Sequence, residues 1–116
     1  MTKKEIVKNI NKAFEISDFS EVRTWFAHDF VMDWPGMFSV DKLDDLELFL
    51  KKNAPKRVVD VTYSHFLEDG ETVFNNGIIT VEMHSGLMIK NYFCDIYEFE
   101  NMKVKKITSY ILHDKN

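Results

Sequence analysis

The chain has 116 residues, 45% of them hydrophobic and 14% aromatic, and carries a formal net charge of −4. That length suits one domain, residues 1–116, with enough apolar material for a core or an apolar pocket. Bases are scattered apart from "KVKK" at Lys103 to Lys106, so no basic face is available for phosphates and nucleic acid is excluded as the main partner.

A single cysteine, Cys94, rules out an intrachain disulfide and fits a reducing cytoplasm. No apolar run reaches the length of a membrane span. The N-terminal "MTKKEIVKNINKAF" is amphipathic rather than a signal-type apolar stretch, so a cytoplasmic protein without membrane contact is expected.

In chain order, Ile6, Val7, Ile10, Ala13 and Phe14 recur at helical spacing and predict a first helix over Lys3 to Ile16. "SDFS" breaks it and offers N-caps for a second, shorter helix that buries Val22, Trp25 and Phe26 and ends near His28. "HDFVMDWPG" reads as a short strand running into a turn at Pro35-Gly36. Asp41 can cap a third helix over Lys42 to Asn53, with Leu43, Leu46, Phe49 and Leu50 inward.

From Arg57 the pattern changes to four strand-like segments, about Arg57 to Glu68, Glu71 to His84, Leu87 to Glu100 and Lys103 to His113. The breaks "EDGE", "HSG" and "ENMK" are hairpin-sized. The first three segments are long, so strong curvature and a bulge near Asn75-Asn76-Gly77 are expected. The expected fold class is α+β: a cone-shaped, curved, antiparallel-rich sheet packed on three N-terminal helices.

Within "KNYFCDIYEF" an acid, Asp95, interrupts an aromatic strand. Asp is a poor strand residue, and a buried carboxylate without a partner is costly. Strand parity places Asn91, Phe93, Tyr97 and Phe99 on the face of Asp95, a mostly apolar wall that disfavours the charged carboxylate. In the last strand Ile107 and Ser109 share one face, and Thr108, Tyr110 and Leu112 the other. Both faces being apolar, a homodimer through the outer one is expected.

None of His28, His65, His84 and His113 falls into a metal-ligand cluster, so neither a metal nor a cofactor is called for. His65, in phase with Val59, Val61, Tyr63 and Leu67, can enter a pocket as a second acid-base group or serve as a hydrogen-bonded wall or surface histidine. Cys94 alternates away from Asp95, with nothing nearby to activate its thiol.

The element order, with "W(F)AHDFVMDWPG" and the ending "DIYEFENMKVKKITSYI", resembles the nuclear transport factor 2-like fold, in particular the branch of ketosteroid isomerases and SnoaL-like polyketide cyclases. The resemblance spans nearly the whole chain and implies a cone-shaped α+β barrel with a pocket at its open end. It places a general base on Asp33, in "VMDWPG", and a protonated hydrogen-bond donor on Asp95, in "DIYEF". Ketosteroid isomerase is itself the known case of a carboxylic acid kept neutral so that it donates to an oxyanion. Two features depart from the pattern: no Tyr occurs in the first helix, and Met102-Lys103 stands where a Gly-Lys-like pair is usual.

The site so read has Asp33 and Asp95 as an acid-base pair. Trp34, Met37, Tyr63, His65, Asn91, Phe93, Tyr97, Ile107 and Ser109 surround a small apolar or partly polar ligand. Each acid also has a structural reading: Asp33 as a turn residue capping its own backbone, Asp95 as the partner of a lysine or a Tyr hydroxyl. The function expected is cofactor-independent isomerisation, cyclisation or dehydration. Its rival is a non-catalytic ligand-binding or dimerisation module.

Overall fold

A computed structural model describes residues 1–114. Helix α1 (Lys3–Ile16) begins where the Thr2 side chain accepts the Glu5 N–H and Glu5 accepts the Thr2 N–H, closing both ends of a capping box. Its stripe of Ile6, Val7, Ile10 and Ala13 is buried, and Asn11 is buried with it.

The expected second helix is replaced by a single 3₁₀ turn, Arg23–Trp25. Strand β1 (Phe26–Trp34) already starts at Phe26, because that residue pairs with Val104 of the last strand in a parallel ladder. Such long-range pairing overrides a local helical spacing. His28 therefore lies in β1 and ends no helix. After the Pro35-Gly36 turn a short β2 (Phe38–Asp41) pairs back on β1. Helix α2 (Leu43–Asn53) follows; Lys42 with positive φ is its N-cap, and Asp41 belongs to β2. Among the described residues the fold thus has two α-helices, not three. Arg23 ties the 3₁₀ turn to α2 through Asp44 and Glu47.

Four long strands complete the sheet: β3 (Arg57–Asp69), β4 (Thr72–Glu82), β5 (Met88–Glu100) and β6 (Lys103–His113), in the spatial order β2-β1-β6-β5-β4-β3. All neighbours are antiparallel except β1 and β6, so the sheet is mixed. A two-residue turn, Asn101-Met102, joins β5 to β6 with both residues at positive φ.

The sheet curls over α1. Its bulges are what bend it. One lies in β3 between Tyr63 and His65, opposite Gly77 and Asn76, so the expected irregularity falls on the partner of the Asn75–Gly77 stretch. Gly77 is obligatory there: a Cβ would sit 1.9 Å from the Thr62 carbonyl oxygen. The core fills the closed end, where Phe19, Phe30, Val73, Tyr97, Val104 and Ile107 are essentially inaccessible. Among the described residues, no helix is long and apolar enough to cross a membrane.

Candidate functional site

Between the curved sheet and α1 lies a cavity of about 300 Å³, within the range of small-molecule pockets. Its wall is built by alternation. Helix α1 contributes Asn11, Phe14 and Glu15; β1 contributes Met32 and Trp34; and Leu50 and Pro55 close one side. Strand β3 gives Val58, Val61 and Tyr63; β4 gives Ile79 and Val81; β5 gives Asn91, Phe93 and Asp95; β6 gives Ser109 and Ile111. The lining is mainly hydrocarbon, with Asn11, Glu15, Tyr63, Asn91, Asp95 and Ser109 as its polar members.

Asp95 is the centre of that polar group. In register across three strands stand Asn75, Asp95 and Ser109, all on the inner face. The Ser109 hydroxyl donates to the Asp95 carboxylate at 2.6 Å. Burial pushes the Asp95 pKa up to about 6, and the Ser109 hydrogen bond pulls against it. Asn75 is fully buried, with neither amide atom hydrogen-bonded among the described residues.

The row towards the mouth carries Tyr63, Gly77, Phe93 and Ile111. The Tyr63 ring stands edge-on to Phe66 and Phe93, at centroid distances of 5.5 and 5.7 Å, which fixes its direction. Desolvation first, then the Glu15 charge, pushes the Tyr63 pKa up to about 12, so its hydroxyl keeps its proton. The row towards the closed end carries Val73, Tyr97 and Ile107. There the Tyr97 hydroxyl, wholly buried and with its pKa raised by desolvation, donates to Asn11 Oδ1 at 2.7 Å.

Of the residues singled out in the sequence, Asp95, Trp34, Tyr63, Asn91, Phe93 and Ser109 come together around the cavity. Tyr97 and Ile107 share their face but lie beneath it in the core. Three fall elsewhere. Asp33 is in register with Thr108, which pairs with Ile96, so it sits on the opposite face of the sheet from Asp95 and Ser109. The strand continues to Trp34 instead of turning at Asp33, and alternation then gives the inner face to Met32 and Trp34. The expected Asp33–Asp95 pair is not assembled.

Met37 sits in the exposed turn after β1, 64% accessible. His65 is turned outward by the bulge: one extra residue, Ser64, reverses the phase set by Tyr63, and His65 pairs with Asn76, its Nδ1 lying 3.0 Å from Asn76 Oδ1. Sequence reasoning misses the contribution of α1. Asn11 lies four residues after Val7 on the buried stripe, and a polar residue in that position is the available signal. Among the described residues no cluster of three His, Cys, Asp or Glu side chains could hold a metal ion.

No family model and no curated protein matches the chain. Solved structures do. A nuclear transport factor 2-like protein of unknown function from Cytophaga hutchinsonii is 26% identical, with a TM-score of 0.75 over 96% of this chain and 100% of that one. An LEH-like epoxide hydrolase of M. tuberculosis is 17% identical, TM-score 0.77, over 95% of this chain and 82% of that one. A protein from Mesorhizobium loti assigned as a SnoaL-like polyketide cyclase is 16% identical, TM-score 0.71, over 95% and 99%. The chain therefore has the nuclear transport factor 2-like fold, which is shared by proteins assigned as cyclases, epoxide hydrolases and hydroxylases and by others of unknown function.

Proposed function

We propose that this chain binds a small, largely apolar molecule in its cavity and that Asp95 moves a proton on it without a cofactor, in an isomerase, cyclase or dehydratase reaction. The observation that carries this reading is a carboxyl on an apolar wall, bonded to Ser109, with a pKa pushed up to about 6. A group whose pKa lies close to the working pH both accepts and returns a proton efficiently. At pH 7 roughly one Asp95 in ten is protonated, so the resting group acts as base and its conjugate acid returns the proton to a second atom. This differs from the role expected of it, that of a permanently neutral donor, because the Ser109 hydrogen bond limits the rise.

Asp33 lies outside this scheme because of its face. Its absence from the cavity favours the rival reading, a binding module of the same fold, in which Asp95 only orients a ligand. Proton exchange separates the two. A panel of small cyclic ketones in D₂O is followed by NMR with wild-type protein and with Asp95→Asn. Exchange next to the carbonyl that is accelerated only by the wild type supports catalysis. Binding without accelerated exchange supports the module.

The remaining proposals concern setting. The outer face carries Tyr92, Tyr110 and Leu112, which are 41%, 47% and 70% exposed and lie close together on β5 and β6. We assign this face to a second copy of the chain, an assignment supported by exposed apolar side chains clustered on one surface. Sedimentation of wild type against Leu112→Lys tests it: the wild type runs as a dimer and the variant as a monomer, whereas a monomeric wild type removes the claim. The lone Cys94 supports a reducing cytoplasm as the place of action.

A further inference from the structure

The charged groups in the cavity wall are all of one sign. Asp95 and Glu15 both line it, and among the described residues no Lys, Arg or His does. Neither acid enters an ion pair among the described residues. Asp95 Oδ1 accepts from Ser109, while Oδ2 has no hydrogen bond among the described residues. The bases nearest the wall along the chain are engaged or turned away. Lys56 and Arg57, between Pro55 and Val58, pair with Glu82. Lys8 lies over the Phe66 ring at 5.5 Å, His113 Nδ1 bonds Asn91 Oδ1 at 2.6 Å, and Lys12 is exposed. Helix α1 adds to the same sign. Glu15 stands in its last turn, where the partial negative charge of a helix C-terminus disfavours a carboxylate, and no base in that turn offsets it. The remaining wall includes the rings of Phe14, Trp34, Tyr63 and Phe93, and aromatic faces are themselves electronegative.

We propose that the cavity takes a lipophilic amine in its protonated form, a small hydrocarbon skeleton bearing one ammonium group. The skeleton lies against Phe93, Ile79 and Trp34, and the nitrogen is held by the charges of Asp95 and Glu15. Its N–H donates to Asp95 Oδ2, the acceptor that Ser109 leaves open. Unpaired carboxylates on an apolar wall are costly, and an ammonium supplies the counter-charge that the chain itself does not. The Asp95 pKa, pushed up to about 6, still leaves most of this group ionised at about pH 7, so its charge is available. The aromatic rings attract the same charge. Two acids and no base also fix an order of preference: cation over neutral molecule, neutral molecule over anion. This assignment rests on the cavity being a ligand site, a premise that the enzyme and the binding module share, and adds the charge of the ligand.

The test uses three probes with one bicyclic skeleton and different charge: 1-aminotetralin, an ammonium at neutral pH, 1-tetralone, and tetralin-1-carboxylate. Each is titrated calorimetrically at about pH 7 into wild type, Glu15→Gln and Asp95→Asn. Wild type is expected to bind the amine about tenfold more tightly than the ketone, and the carboxylate more weakly than either. Each variant shrinks the ratio of amine to ketone affinity several-fold, and added salt weakens the amine but not the ketone. A carbon-13 titration supplies a readout that altered packing would not move: the Asp95 midpoint falls when the amine binds, because an adjacent cation favours the carboxylate. Glu15 is exposed, so its variant tests the charge without disturbing the core. Equal affinity for amine and ketone in wild type, or tightest binding of the carboxylate, overturns the charge preference and leaves the cavity a binding site. An amine preference unchanged in both variants places the amine elsewhere and overturns the assignment. Failure of all three probes to bind overturns both the assignment and the cavity as a site for molecules of this size.

Discussion

Replacing Asp95 by Asn should stabilise the protein at neutral pH and leave it unchanged in acid. The Asp95 pKa rises from 3.8 in the unfolded chain to about 6 in the folded one, chiefly through burial. The folded state thus holds this proton more tightly. Below pH 3.8 both states are protonated and the stabilising effect of the neutral carboxyl is fully present. As pH rises from about 4 to about 6 the unfolded chain ionises first, and that stability is lost; above the folded pKa the loss is complete. Roughly two pH units at about 1.4 kcal/mol each give a penalty of roughly 3 kcal/mol at about pH 8. Asn matches the shape of the neutral carboxyl, and its Oδ1 can still accept from Ser109. Urea unfolding followed by tryptophan fluorescence at about pH 3.5 and about pH 8 measures both ends. The variant should equal wild type at the acid end and exceed it by roughly 3 kcal/mol at the alkaline end. Equal stability at both pH values would refute the desolvation argument. A less stable variant at the alkaline end would mean that the carboxylate is paired rather than merely buried.

Three further perturbations probe the frame around the site. Ser109→Ala removes the bond that pulls the Asp95 pKa down, so the pH dependence of stability should extend to higher pH, as read by the same unfolding series. Gly77→Ala forces a Cβ to 1.9 Å from the Thr62 carbonyl oxygen and should cost about 3 kcal/mol or more in a thermal melt, with loss of probe binding as Tyr63 is displaced. Met102→Gly relieves a bulky residue at φ 62° in the β5–β6 turn and should stabilise by about 1 kcal/mol in urea.

What is legible in the sequence is governed by short-range periodicity. The stripe of Ile6, Val7 and Ile10 defines α1 because neighbours on a helix face are three or four residues apart. Parity places Asp95 correctly on the inner face because β5 runs without a bulge from Asn91 to Glu98, so simple alternation holds. The same rule fails for His65, because a single extra residue in β3 reverses every side chain beyond it. The second helix fails for another reason. Val22, Trp25 and Phe26 have helical spacing, but Phe26 is claimed by Val104 of β6, a partner near the far end of the chain. Asp33 is misplaced by the match of a short turn motif, when the strand continues one residue further and presents Met32 and Trp34 inward. Asn11 escapes notice because one polar residue in an apolar stripe reads as noise until its partner, Tyr97, is brought against it by the curl of the sheet.

The central claim is that Asp95 is an acid-base group within a ligand cavity. Its most direct test is a carbon-13 NMR titration of the side-chain carboxyls, with Asp95→Asn for assignment, run with and without 1-tetralone. The account predicts a midpoint near pH 6 for Asp95, moving upward when the ligand displaces water from the cavity. A midpoint in the ordinary carboxylate range, or one near 6 that the ligand leaves untouched, would contradict it.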